Sequence, residues 1–174
     1  MLVGPVLRTG RHRTARRAVP TKGGCGLARV ACRLSPVAVQ LTDTVALITG
    51  GTRMGATLGA ALAARGAHVA FAFAHSAAAA NTAADGVRAL GRDALTLRAD
   101  LRHPGACAHL VHEVAAWRGR LDVLVCLASV FDRVALVDVT PNEWRRQLAV
   151  DLDASFHCAR AAAQPMRARG GGHI

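Results

Sequence analysis

From Thr44 onward, short apolar runs alternate with stretches of helical periodicity, and no other feature of this 174-residue chain restricts its fold so strongly. A strand covered on both faces reads as a continuous apolar run, and the helix that crosses back over it reads with a 3.6-residue period. The alternation therefore predicts parallel strands joined by crossover helices. Thr44 to Thr49 (TVALIT) predicts a buried strand and Ala56 to Arg65 a helix closed by Gly66. A second strand is expected over Ala67 to Phe73, a second helix over Ala77 to Leu90 stopped by Gly91, and a third strand over Ala94 to Arg98. Gly105 to Trp117 predicts a third helix ended by Gly119, and Leu121 to Leu127 a fourth strand. The fourth helix begins at Thr140 as cap, with Pro141 at the first helical position and Glu143 three residues after the cap. It is expected to run towards Ala163, with Pro165 and Gly170 to Gly172 marking its end, and His173 and Ile174 open a fifth strand.

Directly after the first strand comes Thr49-Gly50-Gly51-Thr52-Arg53-Met54-Gly55, leading into a helix. A loop so placed presents backbone N–H groups and a helix N-terminus to a pyrophosphate, and glycines are needed because a Cβ would block that approach. The expected fold class is therefore α/β: a Rossmann-type doubly wound parallel sheet, incomplete, with about four strands and four helices plus the start of a fifth strand.

Several stretches in the same order resemble the short-chain dehydrogenase/reductase (SDR) family. The loop is similar to that family's T-G-x-x-x-G-x-G, and Gly55 to Val69 reads like its first helix and second strand. Ala99-Asp100-Leu101 resembles the family's acidic step after the third strand, whose carboxylate typically contacts the adenine. Gly119 to Val125 resembles the run into its fourth strand, and Thr140-Pro-Asn-Glu-Trp144 the start of its fourth helix. The resemblance spans about Asp43 to Ile174, and it implies a partial Rossmann NAD(P)-binding domain over residues 41–174. Its implied cofactor-binding residues are Gly50, Thr52, Arg53, Met54, Gly55, His75, Ser76, Asp100, Leu101 and Ala128. An acidic residue at the end of the second strand would hold the ribose hydroxyls of NAD and repel a 2′-phosphate. Here the sequence reads Phe71-Ala-Phe-Ala-His75-Ser76, so NADP is expected in preference to NAD.

The chain also departs from the family. Five steps separate Gly50 from Gly55 where the family has six, its N-N-A-G reads Cys126-Leu127-Ala128-Ser129, and Asp151 stands where the family has Asn in V-N-L. The family's general acid is a Tyr, lowered in pKa by a Lys four residues on, with a Ser aligning the substrate carbonyl. This chain has no Tyr, and its only Lys is Lys22. The resemblance thus implies an NADP-dependent oxidoreductase acting on a small-molecule carbonyl or imine, with no catalytic residue in this chain, which is expected to be an inactive fragment. The alternative is a non-catalytic nucleotide-binding or interaction module that pairs with an intact relative, or with itself, through the fourth helix.

Charge and thiols bound the remaining classes. The net charge of +11 is lopsided: residues 1–40 carry Arg8, Arg11, Arg13, Arg16, Arg17, Lys22, Arg29 and Arg33 with no acidic residue, leaving only +3 for the rest. The later segment therefore offers no electrostatic case for nucleic acid. Residues 1–40 are expected to be a disordered basic arm or to lie upstream of the true start, with an organelle transit peptide, or an arm that binds nucleic acid or anionic membrane, as the competing readings. The five cysteines form no C-x-x-C pair and point to reduced thiols and a cytoplasmic setting, and no membrane span is expected. His103, Cys107, His109 and His112 have spacings that could reach one helical face, but they sit on the outer helix of the unit and no metal site is expected. Trp117 and Trp144 are expected to pack helices, and Cys126 to pack near the cleft.

Overall fold

The computed structural model describes residues 40–50 and 53–174, so the basic segment and Thr52 lie outside the described residues. Strand β1 (Val45–Thr49) is buried at every position, as a run of apolar residues demands when helices cover both faces. It pairs in parallel with β2 (His68–Phe73) on one side and β4 (Val123–Cys126) on the other, and β3 (Ala94–Arg98) pairs with β2. The sheet order is β3-β2-β1-β4, and His173 adds a parallel bridge beside Val123 at the far edge. There the His173 N–H donates to the Asp122 carbonyl at 2.8 Å and the Leu124 N–H to the His173 carbonyl at 2.9 Å, the opening of the expected fifth strand.

Alternate residues of the strands face opposite helix layers. Ile48, Val69 and Phe71 pack with Ala63, Ala80, Ala83, Ala84 and Val87 beneath α1 (Arg53–Ala63) and α2 (Ala77–Ala89). Val45, Leu47, Ala70 and Ala72 face α3 (Pro104–Arg118) and α5 (Ala154–Ala168), which supply Cys107, Leu110, Val111, Val114, Cys158, Ala162 and Met166. Two helix layers over one parallel sheet make the architecture doubly wound. Small residues set the spacing on the first face: a Cβ added at Gly59 would lie 2.4 Å from the Phe71 ring, so α1 rests directly on that ring.

The fourth helical region departs from expectation. α4 (Pro141–Leu148) starts with the expected capping box, in which the Thr140 side chain accepts the Glu143 N–H and the Glu143 carboxylate accepts the Thr140 N–H. A π-type segment, Ala149–Asp153, then carries the helix into α5. Pro165 does not mark the end: it lies inside α5, which stops three residues later. The terminator is Gly170 at φ +92°, with the Gly171 N–H donating to the Met166 carbonyl at 2.9 Å and the Gly170 N–H to Arg167. Ala154, Cys158, Ala162 and Met166 form one buried stripe through the proline, and that packing outweighs the single backbone bond Pro cannot make. Trp117 packs edge-on against buried His68, whereas Trp144, expected to pack, is mostly exposed because α4 has no buried residue. Among the described residues no helix is long and apolar enough to cross a membrane.

Candidate functional site

In an open parallel sheet the ligand crevice forms at the carboxyl ends of the strands, where the direction of winding reverses. Here that point lies between β1 and β4. Gly50 leaves β1 at φ +84°, and a Cβ placed on it would meet the Leu127 carbonyl oxygen at 2.8 Å and the Ala128 nitrogen at 2.9 Å. The loop after β1 therefore lies backbone against backbone on the loop after β4. Buried Thr49 joins the two loops: its hydroxyl accepts the Leu127 and Ala128 N–H groups at 3.2 and 3.3 Å, and its carbonyl takes the Leu127 N–H at 3.0 Å. Gly55 closes the turn from the other side, since its Cβ would lie 2.4 Å from the Gly50 carbonyl oxygen. Gly50, Gly55 and Ala128 are thus brought together, with Arg53 and Met54 exposed on the first turn of α1. No acidic residue occupies that turn, so no carboxylate offsets the partial positive charge of the helix N-terminus.

His75 and Ser76 lie exposed in the turn from β2 to α2, and Ser76 begins α2 without using its hydroxyl as a cap. Asp100 follows β3, which the Ala99 N–H ties to the Phe73 carbonyl at 2.9 Å. The Arg102 guanidinium grips both Asp100 oxygens, with contacts of 2.9 and 2.6 Å, and holds its carboxyl well below the usual carboxylate range. The Leu101 side chain is buried in the core, and its carbonyl accepts from the Cys107 thiol at 3.3 Å.

The residues around the π-type segment show what the Asn-to-Asp difference permits. The Ala154 N–H reaches back to the Ala149 carbonyl, and Asp151 accepts the Val130 N–H at 3.0 Å. Acceptance is the half of an amide's bonding that an ionised carboxylate can still perform. Cys126 is half-buried against the α3–α5 core, and burial pushes its thiol up. His103 and His109 are exposed while Cys107 points into the core, so these side chains do not converge; no metal-holding group of His, Cys, Asp or Glu occurs among the described residues.

Two cleft features were not singled out in the sequence. Thr49 reads there as a strand residue, and nothing in its spacing announces a hydroxyl that joins two loops. Arg98 was readable in principle, because alternation along β3 puts it on the same side as Thr96, whose hydroxyl meets Asn81 of α2.

A glycine turn packed bare on the loop after β4 at the switch point, an acid-free helix start beside it and an ionised carboxylate after β3 are the layout of a dinucleotide-binding α/β fold. The chain belongs to the short-chain dehydrogenase family, whose family model (described as "short chain dehydrogenase") matches residues 44–174. It is 38% identical over 132 residues to versicolorin reductase 1 of Aspergillus parasiticus, covering 75% of this chain and 50% of the relative. It is 36% identical over 124 residues to elsinochrome reductase 1 of Elsinoe fawcettii, covering 71% and 46%. A short chain dehydrogenase from Burkholderia cenocepacia, solved in complex with NADP, superposes with a TM-score of 0.70 at 38% identity, over 73% of this chain and 52% of that one. The chain spans about half the length of the curated relatives it matches.

Proposed function

We propose that residues 41–174 form the nucleotide-binding part of an NADP-dependent short-chain oxidoreductase that reduces a carbonyl or imine on a small molecule, and that the chain as given binds cofactor without turnover. The observation that carries this reading is the bare contact of Gly50 with the Leu127–Ala128 peptide beside the first turn of α1. Its position suits a pyrophosphate, and the residues around it fit the rest of a dinucleotide. Arg53 and Met54 would flank the phosphates with the α1 N–H groups, and ionised Asp100 would accept from the adenine amino group. Ala128 would bound the cleft on the β4 side. NADP is favoured over NAD because Ala74, His75 and Ser76 after β2 supply no carboxylate to repel a 2′-phosphate.

When bound, the nicotinamide supplies the hydride. The reduced oxygen or nitrogen also needs a proton, and a chain with no Tyr and with Lys22 as its only Lys does not hold this family's donor pair. A cytoplasmic setting belongs to the same proposal, since five cysteines without a C-x-x-C pair fit reduced thiols. Titrating the full 174-residue chain with NADPH, followed by nicotinamide fluorescence, tests the reading. Saturable binding, with no NADPH consumed in the presence of small ketones, quinones and cyclic imines, is expected. Turnover would overturn the division between binding and catalysis; absence of binding would overturn the cofactor reading.

A second reading is favoured by one observation: Trp144, Leu152 and Phe156 are each more than half exposed along α4, the π-type segment and α5. On that reading the chain is an interaction module that pairs with an intact relative or with itself through this face. Native mass measurement on the co-expressed pair distinguishes it, a defined heteromer supporting it and separate monomers sinking it.

A further inference from the structure

Arg98 ends the edge strand β3 on the side facing α2. Its Nε donates to the Ala74 carbonyl at 3.2 Å, across the turn that leads from β2 into α2. That bond fixes the guanidinium at the tip of the turn. Its terminal nitrogens make no hydrogen bond and no ion pair among the described residues. His75 and the uncapped hydroxyl of Ser76 follow Ala74 directly. Arg53 lines a separate groove of about 330 Å³ between α1 and α2, together with Ala79 and Thr82 of α2. The carboxylate nearest in sequence, Asp100, is already engaged by Arg102.

We propose that Arg98 is the residue that selects NADP over NAD, its free N–H groups taking the 2′-phosphate of the adenosine ribose. The inference rests on the cofactor reading above and names the residue that gives it its preference. Of the basic side chains at the β2–α2 turn and at the start of α1, Arg98 alone is anchored: Arg53 and His75 are exposed and make no side-chain bond among the described residues. A guanidinium already held through Nε loses little freedom when its other nitrogens engage a phosphate, and it offers them in a planar fork that matches two phosphate oxygens. An uncommitted cation at a strand end is often a solvated surface charge. What separates Arg98 is a bond that turns it over the β2–α2 turn, where a dinucleotide-binding sheet reads the ribose.

The test titrates the full chain with NADPH and with NADH at one fixed ionic strength, comparing wild type with Arg98→Gln and Arg98→Lys. Circular dichroism confirms that each variant is folded; Arg98 is exposed, so both are expected to be. The wild type is expected to bind NADPH more tightly than NADH. Arg98→Gln should lose about tenfold or more in NADPH affinity while NADH affinity stays within a factor of about two, and Arg98→Lys, which keeps the charge but not the fork, should fall between. Equal losses for both nucleotides would make Arg98 a structural support of the turn, and no loss for either would make it a bystander. Either result overturns the proposal while leaving the cofactor reading intact. A wild-type chain that binds neither nucleotide overturns both, and is told apart because it fails before any variant is compared.

Discussion

Gly59 shows how one missing methyl sets the distance between two layers. Its Cβ would lie 2.4 Å from the tip of Phe71, and Phe71 is fully buried, so the ring has no free space to retreat into. Gly59→Ala gains up to about 1 kcal/mol of helix propensity but forces α1 off the ring, at a cost of roughly 1 to 3 kcal/mol. The net effect is expected to be destabilising by about 1 kcal/mol, read as a lower urea midpoint; a higher midpoint would mean that the helix relaxes freely. Asp122 makes a second single-residue case. Burial pushes its carboxyl up, but bonds from the Arg120 guanidinium and the Val45 N–H outweigh burial and leave it below the ordinary value of 3.8. A depressed carboxyl contributes stability above its unfolded pKa, and the contribution is lost as pH falls through the folded value. Asp122→Asn should therefore be less stable than wild type near neutral pH, with the difference shrinking below about pH 4. A difference independent of pH would remove charge from the account.

At the scale of elements, the strand and helix alternation was legible because β1 and β2 are apolar at all but one position each, Thr49 and His68, and α1, α2, α3 and α5 carry their core residues at spacings of three and four. The stops were legible where a glycine adopts a conformation other residues resist, as at Gly119 and Gly170. What was not legible depended on distant packing. Pro165 reads locally as a terminator, but the stripe from Ala154 to Met166 is held against α3, a partner a local reading does not contain. The π-type turn at Ala149–Asp153 was hidden for a similar reason, since Asp151 bonds Val130 on another loop. In the cleft, the glycine turn and the carboxylate at Asp100 were legible from motif spacing, whereas the inward burial of Leu101 and the reach of Arg98 depend on which face of β3 and its exit each residue takes. The start of α4 is a local matter and was read directly. Thr140→Ala removes the hydroxyl that accepts the Glu143 N–H, leaving only the backbone half of the capping box, and should cost about 1 kcal/mol, seen as faster amide exchange confined to the first turn of α4. Faster exchange spreading into α5 would show instead that the two segments unfold as one.

For the molecule as a whole, stability should be concentrated at the middle of the sheet. β1 is paired on both edges and buried on both faces, whereas α4 has no buried residue. Among the described residues, native-state hydrogen exchange is expected to be slowest in β1 and β2 and fastest between Phe131 and Leu148, a region with exposed Leu136, Val137 and Trp144. Uniform protection would require a partner covering that face. The two core clusters meet only through the sheet, so a defect such as Gly59→Ala, confined to the α1–α2 side, should leave exchange at Cys158 and Ala162 on the other side nearly unchanged under conditions where the whole molecule stays folded.

The close approach of Gly50 to the Leu127–Ala128 peptide also bears on how such proteins can be recombined. Glycine turns of this kind are tempting to graft between scaffolds as self-contained cassettes, yet this one is half of a lock whose other half lies 77 residues away and is bolted by the Thr49 hydroxyl. A transplanted turn would have to travel with its matching segment after β4, and a library that varies either piece alone should return mostly misfolded clones.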